Sequence, residues 1–362
     1  MSVKVSRLLL CTCILAATLP CRDAQAAFEI NAGLGHLWGS TTMESGNIPW
    51  GHGTAVYRVS DEDPTHILVY PRTSIEFPLD VYLASLDASY SAGNWDLKAA
   101  VRTSLNDPTT KAIDNEMAVG YWDEQKSGWY YRVNSNGGQT YSADVEQKLD
   151  TELDAVLYEV KCRYAFYNSG SAAASQANAW CAHIGLGLDK RDYEFEGTLD
   201  SVSTADFIGD KEWSYPQDGT PWIDYEVHYT IPYLELAGRG VRDNLYVDAS
   251  LGFSPLVRVE DKQENHLGRM AGPYTAEGDC KGIAYKASLQ AGYGLTPQLL
   301  LGLAFDYLKV RTDGDQETTC QAGSTAIGGG ADEWTWPDDT WKNDEKISSE
   351  QYQLMLNLGF HF

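Results

Sequence analysis

Beyond its first twenty-six residues, the 362-residue chain has no apolar run approaching the roughly 18 residues that a membrane-spanning helix needs. Any crossing of a bilayer therefore has to be made by strands. Cations are scarce as well: 27 Lys and Arg stand against 51 Asp and Glu, a formal charge of −24. That balance argues against nucleic acid and for cationic partners. Aliphatic content is modest, with a mean hydropathy of −0.35, yet the chain holds 22 Tyr and 11 Trp. An aromatic-girdled barrel has this composition, because only alternate residues touch lipid. A soluble glycan-binding sandwich would share it.

What is there begins with an export signal. Lys4 and Arg7 precede an apolar run from Leu8 to Leu19, and Ala24-Gln25-Ala26 is an A-x-A processing site. Residues 1–26 are read as a signal peptide and 27–362 as one domain. Of seven cysteines, Cys162, Cys181, Cys280 and Cys320 remain, an even number that suggests disulfides in an exported chain. The expected pair is Cys280–Cys320, on neighbouring outer loops. Cys162 and Cys181 flank a turn, but strict alternation puts them on opposite faces unless a bulge intervenes.

The last stretch, Ser349 to Phe362, is apolar at every second position (Tyr352, Leu354, Leu356, Leu358, Phe360, Phe362) with a smaller, mostly polar row between. Period two means a strand. One that ends on an aromatic carboxyl terminus resembles the closing strand of a bacterial outer-membrane barrel, apolar row to lipid and polar row to lumen. The same alternation cuts the chain into ten strands: 28–41, 74–91, 95–105, 149–167, 179–195, 222–238, 244–261, 282–293, 298–310 and 349–362. Short turns and long loops alternate between them. The expected fold is all-β, a ten-stranded antiparallel transmembrane β-barrel with long extracellular loops, narrow enough to be filled by its own side chains.

Two acidic triplets in the loops carry candidate chemistry. Asp114-Asn115-Glu116 and Glu264-Asn265-His266 each present an ionisable pair to one side of an extended chain. Acids facing an acid–His pair across a cleft can hold and deprotonate a water without a serine or cysteine nucleophile. The acidic final loop lacks the spacing of a calcium-binding EF-hand, and neither metal nor cofactor is expected.

The chain resembles the omptins, outer-membrane endopeptidases built on a ten-stranded barrel. The resemblance rests on Ala32–Gly39, Asn94–Leu97, Ile231–Leu236, Gln290–Pro297 and the terminal aromatic strand, in order along the chain. It implies an Asp-x-Asp pair, falling here on Asp114 and Glu116, opposite an Asp-x-His pair, falling on Glu264 and His266. His266 would be the general base, oriented by Glu264. Both departures replace Asp by Glu and move a carboxylate by about 1.5 Å, where catalytic geometry is held to about 0.5 Å. The resemblance further implies a monomer at the bacterial surface that cleaves cationic peptides, with Glu44 and Asp261 as approximate matches to substrate-reading acids. Omptins also bind lipopolysaccharide through basic residues on the outer wall. Here that wall shows His228 and Thr230, which do not support lipid dependence. A catalytically inactive barrel serving as an adhesin or binding rim is the alternative.

Overall fold

A computed structural model describes residues 27–46, 56–58, 66–69, 72–106, 108–118, 120–123, 128–131, 142–169, 178–204, 219–266, 274–320 and 340–362. These form strands throughout: β1 (Ala27–Gly46), β2 (Val56–Arg58), β3 (His66–Val69), β4 (Arg72–Ala92), β5 (Trp95–Ser104), β6 (Thr110–Ala118), β7 (Gly120–Asp123), β8 (Gly128–Tyr131), β9 (Ser142–Asn168), β10 (Asn178–Thr204), β11 (Pro221–Arg242), β12 (Leu245–Asn265), β13 (Tyr274–Gly294), β14 (Leu299–Cys320) and β15 (Thr340–His361).

An antiparallel wall runs β1-β15-β14-β13-β12-β11-β10-β9-β5-β4, and β1 pairs with both β15 and β4, which closes the ring. β6 continues the wall above β5, bonded to β4 on one side and β9 on the other. The wall therefore has ten positions, as the sequence predicts, and closure leaves no strand edge for aggregation. The small sheet β2-β3-β7-β8 comes from two segments the sequence predicts as loops.

Several strands reach further up than expected: β1 continues to Gly46, β10 to Thr204, and β15 begins at Thr340 rather than Ser349. The reason is physical. Above the bilayer both faces of a strand can be polar, so the apolar row that reveals a strand in lipid fades there while hydrogen bonding to its neighbours continues. The turns on the other side are tight. Gly93 (φ 60°) serves β4–β5, and Asp243 (φ 52°) serves β11–β12; a short Asp tolerates this left-handed geometry.

β15 shows how sequence alternation becomes membrane topology. Leu356 and Phe360 stay about half exposed on the outer surface, whereas Gln351 and Gln353 are almost wholly buried in the lumen. At the upper edge of the apolar belt Trp38 stacks on Tyr352 (ring centroids 5.8 Å apart), and Tyr307 meets Tyr352 at a tilt (5.2 Å). Phe28 meets Phe362 at the lower edge. Aromatic side chains suit both interfaces, with one end apolar and the other wet.

The lumen is filled in two layers. Within the belt, buried charges pair: Arg163 binds Asp248 (2.9 Å), Arg191 binds Asp189 (2.9 Å), and Lys286 reaches both Glu159 (2.8 Å) and Asp189 (2.6 Å). A cavity of about 50 Å³ among Asp87, Arg102, Lys161 and Asp248 leaves room for a water or two. Above this layer lies an apolar core. Phe77 stacks on Tyr225 (4.7 Å) and packs against Phe195 (4.8 Å), surrounded by Met43, Leu149, Val259 and Ile347. Such a lumen is a plug rather than a pore.

Candidate functional site

The chemistry-bearing residues gather in the extracellular half, above Tyr352 and Tyr307. β12 decides much of their placement. In its lower part the even-numbered residues face inward: Asp248, Ser250 and Ser254 are buried. The pairing with β13 then shifts between Ser254 and Val257. Ser254 is 1% exposed, Leu256 72% and Val257 1%, so from there upward the odd-numbered row faces inward. An extra residue at Pro255-Leu256 acts as a bulge and exchanges the two faces.

That exchange governs the predicted site. Asp261, Gln263 and Asn265 project into the lumen. Glu264 and His266 project from the outer wall, which corrects the expectation that they face Asp114 and Glu116 across a cleft. Glu264 is paired with Lys262 on the same outer row, and the Lys262 ammonium holds its carboxyl below the usual value. His266 Nε2 lies 2.8 Å from Asp224 Oδ2 of β11, while its backbone N–H donates to the Trp222 carbonyl. Its side chain is 38% exposed.

On β6, Ala112 and Asp114 face inward, with Asp114 set opposite Ile75 of β4 and Gln147 of β9. Glu116 follows two residues on, where the register with β9 shifts; its side chain lies outside the described residues. Glu44 falls on β1 between Met43 and Ser45, the former buried in the lumen, and so belongs to the outward row. Of the predicted set, Asp114 and Asp261 are thus the acids found on the inner wall.

Asp261 has a partner in a segment that the sequence predicts as a loop. Glu345 of β15 meets it over Gly278 of β13, the residue paired with Asp261 in the β12–β13 ladder. A Cβ added at Gly278 would collide with Glu345 Oε2 and Asp261 Oδ1 together, so the missing side chain is what lets both carboxyls in. Glu345 accepts from Gln316 Nε2 (2.8 Å) and from the Cys280 thiol (3.5 Å). The inward row Asn343, Glu345, Ile347, Ser349, Gln351 is the signal that would have extended β15 downward in sequence to include it.

The cysteine expectation also changes. Cys280 stands opposite Gly314, whereas Cys320 stands opposite Tyr274. Six residues of strand, about 20 Å, separate them, and a disulfide needs Cα atoms within about 7 Å. Cys162, Cys181 and Cys280 are free thiols.

A family model described as Omptin family matches residues 171–329. Over that stretch the chain is similar to the omptin family. Among solved structures, the outer membrane protease OmpT from Escherichia coli superposes with a TM-score of 0.66 at 15% identity, covering 95% of this chain and 99% of that one. The translocator domain of the autotransporter NalP from Neisseria meningitidis gives 0.29 at 11% identity, covering 99% and 96%. Ail, the attachment invasion locus protein of Yersinia pestis, gives 0.23 at 9%, covering 93% and 99%. No curated protein matches the chain. The chain is a bacterial outer-membrane barrel, and the omptins it resembles are outer-membrane proteases. At 15% identity the likeness to OmpT is one of fold.

Proposed function

We propose that this omptin-like barrel is a cell-surface endopeptidase for cationic peptides or proteins, using inner-wall carboxyls rather than imidazole to activate water. The observation that carries it is that Asp114 on β6 and Asp261 on β12, four wall positions apart in a ring of ten, both face the lumen in the extracellular half. An ionised carboxylate takes a proton from water as its oxygen bonds to the peptide carbonyl carbon. A protonated carboxyl gives a proton to the departing amine as the C–N bond breaks, so protons balance over the cycle. Glu116 is the natural companion of Asp114. The strongly acidic chain favours cationic substrates by charge. No cofactor is required by the scheme.

The test is cleavage of fluorogenic peptides with adjacent arginines by the refolded barrel, with and without lipopolysaccharide. Turnover that Asp114→Asn and Asp261→Asn each lose supports the reading. A second reading, a binding or adhesive barrel without hydrolysis, is favoured by the Phe77–Tyr225–Phe195 stack that fills the lumen and by the outward His266. Absence of turnover by a folded barrel over several basic and non-basic peptides selects it.

A further inference from the structure

Asp261 is 5% exposed and Glu345 1%, and neither oxygen of Asp261 receives a hydrogen bond from a described residue. The Tyr225 hydroxyl beside it, wholly buried, is equally without a partner. A buried ionised carboxylate with no donor is costly. Two carboxyls meeting over one glycine have a remedy that a single one lacks: a proton on one is a hydrogen bond to the other.

We propose that Asp261 and Glu345 form one proton-sharing site, in which a single proton bridges the two carboxyls, making Glu345 a positioning residue for Asp261. The first half stands on the geometry alone; the second rests on the peptidase reading above. Gln316 donates to Glu345 Oε1 and Cys280 to Oε2, the oxygen that meets Asp261 Oδ1 over Gly278, and Ser45 of β1 in turn donates to Gln316 (3.0 Å). These contacts fix the Glu345 carboxyl with Oε2 turned toward Asp261.

Electrostatics agree that the pair holds on to a proton. Burial raises the Asp261 carboxyl to about 7. Burial, and then the Asp261 charge, raise Glu345 to about 9. Between these values the pair holds a single shared proton. The titratable groups facing the pair are Tyr225 and Tyr229 from β11 and Cys280 from β13, all pushed up by burial. β14 contributes uncharged Gln316 and Thr312 to the cluster. His228, on the outer wall of β11, weakly opposes the rise at Asp261.

The experiment is a carboxyl ¹³C NMR titration of the refolded, Asp- and Glu-labelled barrel in detergent, from pH 4 to 10. Two resonances should titrate above pH 6 while ordinary carboxyls finish below about 5. Glu345→Gln should remove the upper transition. Asp261→Asn should remove the lower one and move the Glu345 transition down, since the neighbouring charge is gone. All carboxyls titrating in the ordinary range, or variants that leave both late transitions in place, would overturn the proposal. If a variant fails to fold, the wild-type titration still decides. Where the wild type turns over peptide, Glu345→Gln should shift the alkaline limb of its pH–rate profile; a profile unchanged overturns the positioning role. Absence of turnover would sink the peptidase reading and leave the shared proton to be judged by NMR.

Discussion

Asp224 on β11 and His266 at the top of β12 face each other on the outside of the barrel, Oδ2 to Nε2 2.8 Å. The histidine that the omptin resemblance would make a general base is therefore held away from the lumen, and the carboxylate beside it is not the one expected.

His266→Ala and Glu264→Gln should accordingly leave peptide turnover as it is in the wild type. A cysteine placed at 266 should react on intact cells with a bulky, membrane-impermeant maleimide, while one at Asn265 should not. Loss of turnover in His266→Ala, or labelling at 265 and not at 266, would put β12 in the opposite parity.

Gly278→Ala tests the meeting of Asp261 and Glu345. A methyl group at that point has to displace both carboxyl oxygens, and such overpacking costs about 1–3 kcal/mol. Denaturant unfolding followed by tryptophan fluorescence should show the loss; an unchanged midpoint would mean that the two carboxyls do not converge there.

Stability should fall with rising pH. The Asp261 and Glu345 carboxyls ionise at about 4 in the unfolded chain and at about 7 and about 9 in the folded one. The folded state therefore binds more protons across this window. Their contribution is fully present below pH 4 and is lost as pH rises through 7 and then 9. Unfolding midpoints at pH 5, 7 and 9 check the direction, and the double variant Asp261→Asn, Glu345→Gln should flatten the profile.

Reducing agent should leave the unfolding midpoint unchanged, because Cys280 and Cys320 sit at different heights on the β13–β14 ladder. Alkylation of the unfolded, unreduced protein should modify Cys162, Cys181 and Cys280, counted by mass. A reductant-sensitive midpoint would contradict this register.

In the charged layer, Arg163→Met removes the cation shared by Glu235 and Asp248 and leaves Glu235 only Lys161 (3.6 Å) and Asp248 only Arg239 (3.0 Å). Breaking a buried pair outright costs about 3–5 kcal/mol, and the cations that remain make the loss here smaller. Heat needed to unfold the barrel on a gel should drop accordingly, and the wild type should show no steady conductance in a planar bilayer, since the lumen is packed.

The sequence by itself determined the class of fold and most of its outline. Alternation in β15, the tight turn at Gly93 and the spacing of strands follow from local chemistry, because a strand in lipid has to turn its apolar row outward wherever it lies. It also placed Asp114 and Asp261 near the rim. What it could not determine was which face a residue takes far along a strand. Period two records only parity, and one additional residue at Pro255-Leu256 reverses it for everything above, including Glu264 and His266; Pro255 in mid-strand was the local hint. Partners across the lumen were likewise beyond it. Asp261 and Glu345 come from strands three wall positions apart, and they meet because the closed ring sets their heights and Gly278 leaves a gap between them. Such a meeting is a property of strand register and curvature, which no local pattern encodes, so only the tertiary structure decided it.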